Sequence, residues 1–232
     1  MADNEFCMVL GPLEPSEAEF EAVRRQKAAL LLTRKWQSND TITVGFLEGS
    51  DALKARVKAV ALEWTKPGRA KLNLNFVPGT SADVRIAFKQ GAGSWSYIGT
   101  DCRHIPAGQP TMNYGWLSDA SPDDEIRRVV LHEFGHALGL IHEHQSPNHP
   151  IHWNKPAVYA DLSGPPNNWS KETIDSNMFK PYKLKEVVAT PVDAKSIMMY
   201  PIPKSWTTDG FSAGLNSQLS PYDEALIANQ YP

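Results

Sequence analysis

Long apolar runs are missing from this chain of 232 residues. The longest, such as AALLL at 28–32, fall far short of the roughly 20 apolar residues that span a bilayer, so no membrane span is expected. Clusters of lysine and arginine are missing too. With a net charge of −3 and a pI near 6.2, nothing in the chain is suited to nucleic acid or to an anionic membrane, and both are set aside as partners. Cysteine is scarce: Cys7 and Cys102 allow one disulfide at most. That is sparse for a secreted domain without excluding secretion. The N-terminal MADNEFCMVLGPLEPSE has no basic region followed by an apolar one, so it does not read as a signal peptide. The protein then stays inside, leaves by another route, or is without its leader. No internal repeat or low-complexity tract is visible.

What the chain does have is a 41 % share of hydrophobic residues, enough for the core of one sizeable domain or of one domain with two lobes. SEAE at 16–19 reads as a capping box ahead of a helix over about 17–34. TITVGF at 41–46 reads as a strand. DALKARVKAVALEW at 51–64 has a helical period, with Ser50 as its cap and Pro67-Gly68 as its stop. KLNLNFV at 71–77 and DVRIAF at 83–88 alternate as strands with one buried face. GAGSWSYIG is glycine-punctuated and reads as a loop, and PTMNYGW at 110–116 as a short strand. Strand, helix, strand, strand in this order predicts an α/β sheet with a crossover helix on one face. The next helix begins at SPDDEIRR, with Ser121 as cap, and is predicted to end at Gly139 in a left-handed conformation. Beyond it, prolines gather and predict a loop-rich last third that closes on a capped helix, SPYDEALIANQY, at 220–231.

Inside that middle helix, His132 and His136 stand four positions apart, which puts both imidazoles on one face, one turn from each other. Both can reach one cation at the ~2.0–2.1 Å of a zinc–nitrogen bond. Glu133 then points beside the metal rather than at it, where it can hydrogen-bond a water and take its proton. A catalytic zinc needs three protein ligands and one open position, and the third ligand should come from beyond the helix. Gly139 turns the chain and His142 follows. The run HEFGHALGLIH is the extended zincin motif, and it implies one Zn²⁺ per chain. A tight turn with a methionine beneath the metal is expected downstream. SIMMY at 196–200 supplies it, with Met198 as the platform. The remaining histidines, His104, His144, His149 and His152, read first as solvated, three of them in a proline-rich loop.

At these residues the chain resembles the metzincin clan of metallopeptidases, and within it the astacin-like branch. The third histidine is followed by Glu143, and the turn reads S-x-M-x-Y from Ser196 to Tyr200. GSWSYIG, PTMNYGW and LSPYDEALIANQYP are similar to matrixin domains instead. Several features depart from the astacin pattern. Astacins normally carry four disulfide cysteines in the domain, QSPNHP replaces their arginine–aspartate run, and Met199 stands where they usually have histidine.

The resemblance implies an α+β zincin fold: a twisted, mostly parallel sheet with an antiparallel edge strand, a crossover helix and an active-site helix, then a loop-rich C-terminal lobe. It divides the chain into an N-terminal helical pro-segment at 1–33 and a catalytic domain at 34–232, with lobes 34–142 and 143–232. It implies a monomeric, secreted zinc endopeptidase acting on proteins or peptides, with Glu133 as general base. Tyr200 would donate a hydrogen bond in the transition state. Thr111, Met112, Asn113 and Tyr114 would form the sheet edge that receives an extended substrate. The segment 201–217 would shape the pocket just past the scissile bond. Other metzincins fill the open zinc position with an N-terminal cysteine. Cys7 is therefore read as such a switch, against a disulfide with Cys102 or an inert thiol. A catalytically silent, zinc-stabilised binding module is the alternative function. It would show loss of Glu133 or of a ligand, and all four residues are in place.

Overall fold

The structure is a computed structural model and describes residues 8–10, 32–148, 151–165, 167–183, 187 and 192–232. Its centre is a six-stranded sheet in the order β1-β5-β6-β4-β2-β3. The strands are β1 (Met8–Leu10), β2 (Thr41–Phe46), β3 (Asn73–Phe76), β4 (Val84–Ala87), β5 (Trp95–Tyr97) and β6 (Met112–Asn113). β2 pairs in parallel with both β3 and β4, and β4 with β6, while β5 runs antiparallel to β6. Among strands from the 34–232 portion, β5 is thus the antiparallel margin of a mostly parallel sheet; the resemblance implied such an edge strand but placed it at 111–114. Onto its outer side β1 adds in parallel, Met8 opposite Trp95 and Leu10 opposite Tyr97.

The expected elements form for local reasons. In β2, Ile42 and Val44 alternate into the core. Helix α1 (Asp51–Ala61) is capped by Ser50, whose hydroxyl accepts the Leu53 N–H at 3.1 Å. Its buried stripe of Leu53, Val57 and Ala61 recurs every fourth residue and packs on helix α2 (Asp123–Ala137). Trp64, in the 3-10 turn after α1, is fully buried and donates its indole N–H to Leu131 O of α2 at 3.1 Å. One hydrogen bond thereby fixes the distance between the crossover segment and the helix that carries the histidines.

Three expectations change, and a fourth falls largely outside the described residues. WSY is a strand rather than a loop: the flanking glycines serve turns, and pairing to β6 and β1 holds the three residues extended. Ser121 does not cap α2, which begins after Pro122. Its hydroxyl instead accepts the Ser118 N–H at 2.9 Å. The region after Gly139 holds two short helices, α3 (Lys155–Leu162) and α4 (Lys171–Ile174), and a π-helical turn at Asp175–Phe179. Their apolar signal is weak because α3 buries only Val158 and Leu162, and α4 only Ile174. The helix expected over 17–34 lies outside the described residues except for its last turn, Leu32–Arg34. There Arg34 forms a buried ion pair with Asp101 at 2.5 Å. The closing helix α5 (Pro221–Gln230) has a full capping box between Ser220 and Asp223.

Candidate metal centre

Helix α2 concentrates Asp123, Asp124 and Glu125 in its first turn, where acidic groups complement the helix dipole. Its other end is closed as the sequence predicted. Gly139 sits at φ 97°, its N–H donates to His136 O at 2.8 Å, and the Leu140 N–H reaches back to Gly135 O at 2.9 Å. This is a Schellman closure, in which a left-handed residue lets the chain leave the helix sharply. Two side chains from distant segments satisfy further terminal carbonyls: Trp36 Nε1 donates to Ala137 O at 2.8 Å and Tyr231 Oη to Leu138 O at 2.6 Å. The sharp exit brings His142 back over the helix.

His132, His136 and His142 converge there, all three buried, with ligand atoms within 4.8 Å of one another. His136 Nε2 lies 3.2 Å from both His132 Nε2 and His142 Nε2. The other ring nitrogens explain why the two helical histidines turn inward. His132 Nδ1–H donates to Ile197 O and His136 Nδ1–H to Leu140 O, each at 2.8 Å. A carbonyl only accepts, so Nδ1 carries the proton and Nε2 presents a lone pair. Burial holds all three imidazoles below their ordinary pKa, His136 down to about 4, with neighbouring histidines adding to the effect on His132 and His142. Two imidazoles thus aim Nε2 lone pairs at the point where His142 Nε2 also converges, an arrangement that a cation between the three rings satisfies. Four ligands placed tetrahedrally at ~2.0–2.1 Å have edges of about 3.3–3.4 Å, close to the spacing found here. The residues fit a metal ion.

The turn below the triad is tied to it at several points. Ile197 O orients His132, and Met198 O accepts the Glu143 N–H at 3.0 Å. Asp223 of α5 grips the turn from behind, accepting Ser196 Oγ–H at 2.7 Å and the Ile197 N–H at 2.8 Å. Met198 itself is buried against Gly135 of α2. Glu143 is buried beside Asp193 and Asp223. Burial pushes its carboxyl up to about 8, against the Asp193 N–H that favours its charge.

Glu133 lies between the two helical ligands and is fully buried. Tyr200 is buried among imidazoles, its ring centroid 4.1 Å from that of His142 and 6.0 Å from that of His132. Three expectations need correction. His144 is not solvated: it is buried, with its ring 4.8 Å from Tyr200 and 5.3 Å from His142. Residue spacing could not reveal this, because His144 packs against elements found only after the fold is known. Met112 and Asn113 form β6, which is paired on both sides, and Thr111, Met112, Asn113 and Tyr114 are all buried. Within residues 34–232 the outermost strand on that side is β5, with β1 lying against it, so the segment 111–114 offers no free edge to a peptide. Cys102 is a free buried thiol, its pKa pushed by burial up to about 12, and forms no disulfide. Cys7 lies outside the described residues. His152 is exposed beside Asp209, and His104 is exposed as expected.

A mostly parallel sheet, a helix bearing two histidines one turn apart, a third histidine beyond a glycine exit and a methionine turn beneath them define a metzincin. More narrowly, the chain belongs to the astacin family of peptidases, whose sequence profile matches residues 31–226. A solved structure of myroilysin is 44% identical and superposes with a TM-score of 0.84, covering 88% of this chain and 98% of that one. Meprin A subunit beta of Rattus norvegicus is 25% identical over 182 residues, 76% of this chain and 22% of that protein. Blastula protease 10 of Paracentrotus lividus is 23% identical over 171 residues, 69% of this chain and 25% of that protein. The chain therefore spans about a quarter of the length of the curated relatives it matches.

Proposed function

We propose that the protein is a zinc-dependent endopeptidase that hydrolyses peptide bonds of proteins. The observation that carries this reading is the convergence of three neutral Nε2 atoms beside a buried glutamate, in a chain of a peptidase family. His132, His136 and His142 would hold one Zn²⁺. When bound, the ion lowers the pKa of a water to about 7 and polarises a carbonyl.

The remaining roles fall to this chain's own side chains. Glu133 accepts the proton of the attacking water and later returns one to the leaving amine. Tyr200 donates its hydroxyl hydrogen to the carbonyl oxygen as that oxygen gains charge. The depressed pKa values of the ligand histidines keep their nitrogens available at neutral pH. An extended substrate is assigned to the outer side of β5, a margin that accepts a strand, since β1 lies on it.

The test is zinc per chain by elemental analysis, together with cleavage of an unfolded protein such as casein. One zinc and chelator-sensitive cleavage are expected. One zinc without cleavage by any form of the chain would leave the silent binding module.

A further inference from the structure

Tyr200 is walled by three imidazoles, and two of them, His132 and His142, belong to the metal triad. The third is His144, which is no part of that group. Its ring lies 4.8 Å from the Tyr200 ring at 32° between planes, and 5.3 Å from His142 at 20°. The three rings therefore lie against one another, with His144 touching both the third ligand and the tyrosine. What fixes His144 comes from elsewhere. Its Nε2–H donates to Asn177 O in the π-helical turn at 2.8 Å, and the Trp153 ring meets it edge-on at 6.0 Å.

The next residue reinforces this anchor. Gln145 Nε2 donates to Ser176 O at 2.9 Å and Lys180 O at 3.0 Å, while the Tyr182 N–H donates to Gln145 O at 3.1 Å. Trp153 stacks edge-on with Phe179, and Phe179 with Tyr159, so the aromatic contact runs on from His144 into the C-terminal lobe. A buried histidine that is not a ligand, pinned by its far nitrogen and face to face with a tyrosine, is a wall whose position the lobe sets.

We propose that His144 is a positioning residue for Tyr200: its ring, held by Asn177 O, keeps the tyrosine hydroxyl aimed at the oxygen that gains charge in the reaction. The proposal rests on the peptidase reading above. The Tyr200 side chain has two torsions that its neighbours must fix, and a displacement of about 1 Å at a group acting in the transition state can cost on the order of 10²-fold in rate. Two of its walls are histidines that would hold the metal, and His144, outside that group, supplies the remaining one. A ring is needed for the contact and an N–H for the anchor, and histidine provides both.

The test compares His144→Leu, which removes ring and donor, with His144→Phe, which keeps a ring. Both are also made in a Tyr200→Phe background. His144→Leu is expected to keep one zinc per chain and an unchanged KM while kcat falls about 10-fold. His144→Phe should recover part of that loss. In the Tyr200→Phe background neither substitution should change kcat further. A kcat loss of full size in that background, or loss of zinc from His144→Leu, overturns the proposal.

A second readout needs no turnover. With ring-labelled tyrosine in the metal-free protein, His144→Leu should shift the Tyr200 ring resonances, because the imidazole face no longer shields them. Unmoved resonances overturn the contact itself. An inactive parent that still shows the shift overturns the peptidase reading while supporting His144 as the wall.

Discussion

Met198 rests directly on Gly135: a Cβ built on that glycine would stand 2.3 Å from Met198 Sδ and 3.2 Å from its Cε. Gly135 lies on α2 between His132 and His136, so the missing side chain is what lets the methionine turn approach the ligand helix. Trp64 closes the other side, 3.3 Å from the same Cβ position, and both Met198 and Trp64 are buried.

Gly135→Ala should therefore destabilise. Helix propensity alone would favour alanine by about 1 kcal/mol. Overpacking in a dense core costs about 1–3 kcal/mol, and here it also pushes on the turn that orients His132. Urea unfolding of the metal-free variant should show a net loss of stability, and metal titration a weaker site. A stability gain would mean that Met198 shifts freely.

Glu133→Gln should keep one zinc and the fold while removing nearly all peptidase activity, because the amide cannot take a proton. Casein hydrolysis near the parent rate would rule out the general-base role. Tyr200→Phe should lower kcat roughly 10²-fold with little change in KM, the loss of one hydrogen-bond donor to a developing oxyanion. A change confined to KM would make Tyr200 a binding residue instead.

Acid should destabilise the metal-free protein across a defined window. His136 and His144 have folded pKa values of about 4, lowered chiefly by burial. In the unfolded chain histidine titrates near ~6.5. Between these values the unfolded state binds protons that the folded state refuses, so stability is intact above about pH 6.5 and falls as pH drops toward 4. Each such histidine contributes on the order of a few kcal/mol across that range. Thermal unfolding of chelated protein from pH 7 to pH 4 reads this directly. Added zinc should raise the transition at pH 7 and lose its effect as the ligands protonate. A flat profile would mean that the ligand histidines are not held neutral by burial.

Cys102 should resist alkylation by iodoacetamide at pH 8 in the native protein and react on unfolding, with peptide mapping to separate it from Cys7. Burial, with Asp83 adding to it, raises its pKa to about 12. The fold thus favours the neutral thiol. Its contribution is complete below the ordinary thiol pKa and is lost as pH rises from there toward 12. Rapid labelling of the folded chain would mean the site opens on its own.

β1 should compete with substrate for the outer side of β5. Proline at both Val9 and Leu10 removes whichever amide makes the parallel ladder bond, since only alternate residues donate to one neighbour. The double variant should raise kcat/KM on protein substrates severalfold with zinc content unchanged. Equal rates would show that substrate does not use this margin.

Much of the site was legible locally. The interval from His132 to His136 is one helical turn, and Gly139 can adopt φ 97° where other residues strain, so ligand helix and exit follow from spacing and backbone sterics. The cap at Ser50, the β-branched strand β2 and the capped helix at 220–231 depend on neighbours within a few residues, and all three form as read.

The tertiary structure decided what no local pattern encodes. Trp95–Tyr97 is a strand because β6 and β1 supply its hydrogen-bond partners, and β6 is interior because β4 and β5 lie on either side of it. A two- or three-residue strand has too few positions to show alternation, so pairing alone determines it. His144 reads as a polar loop residue until Asn177, Trp153 and Tyr200 arrive from 33, 9 and 56 positions away to bury it. Asp223 completes the capping box of α5 behind Ser220, yet the same carboxylate also holds the methionine turn. Periodicity and steric preference act over one turn or one pleat, and they set where the ligands point. Burial and partner choice arise only when distant segments pack, and they decide which edge is free and which histidine is a wall.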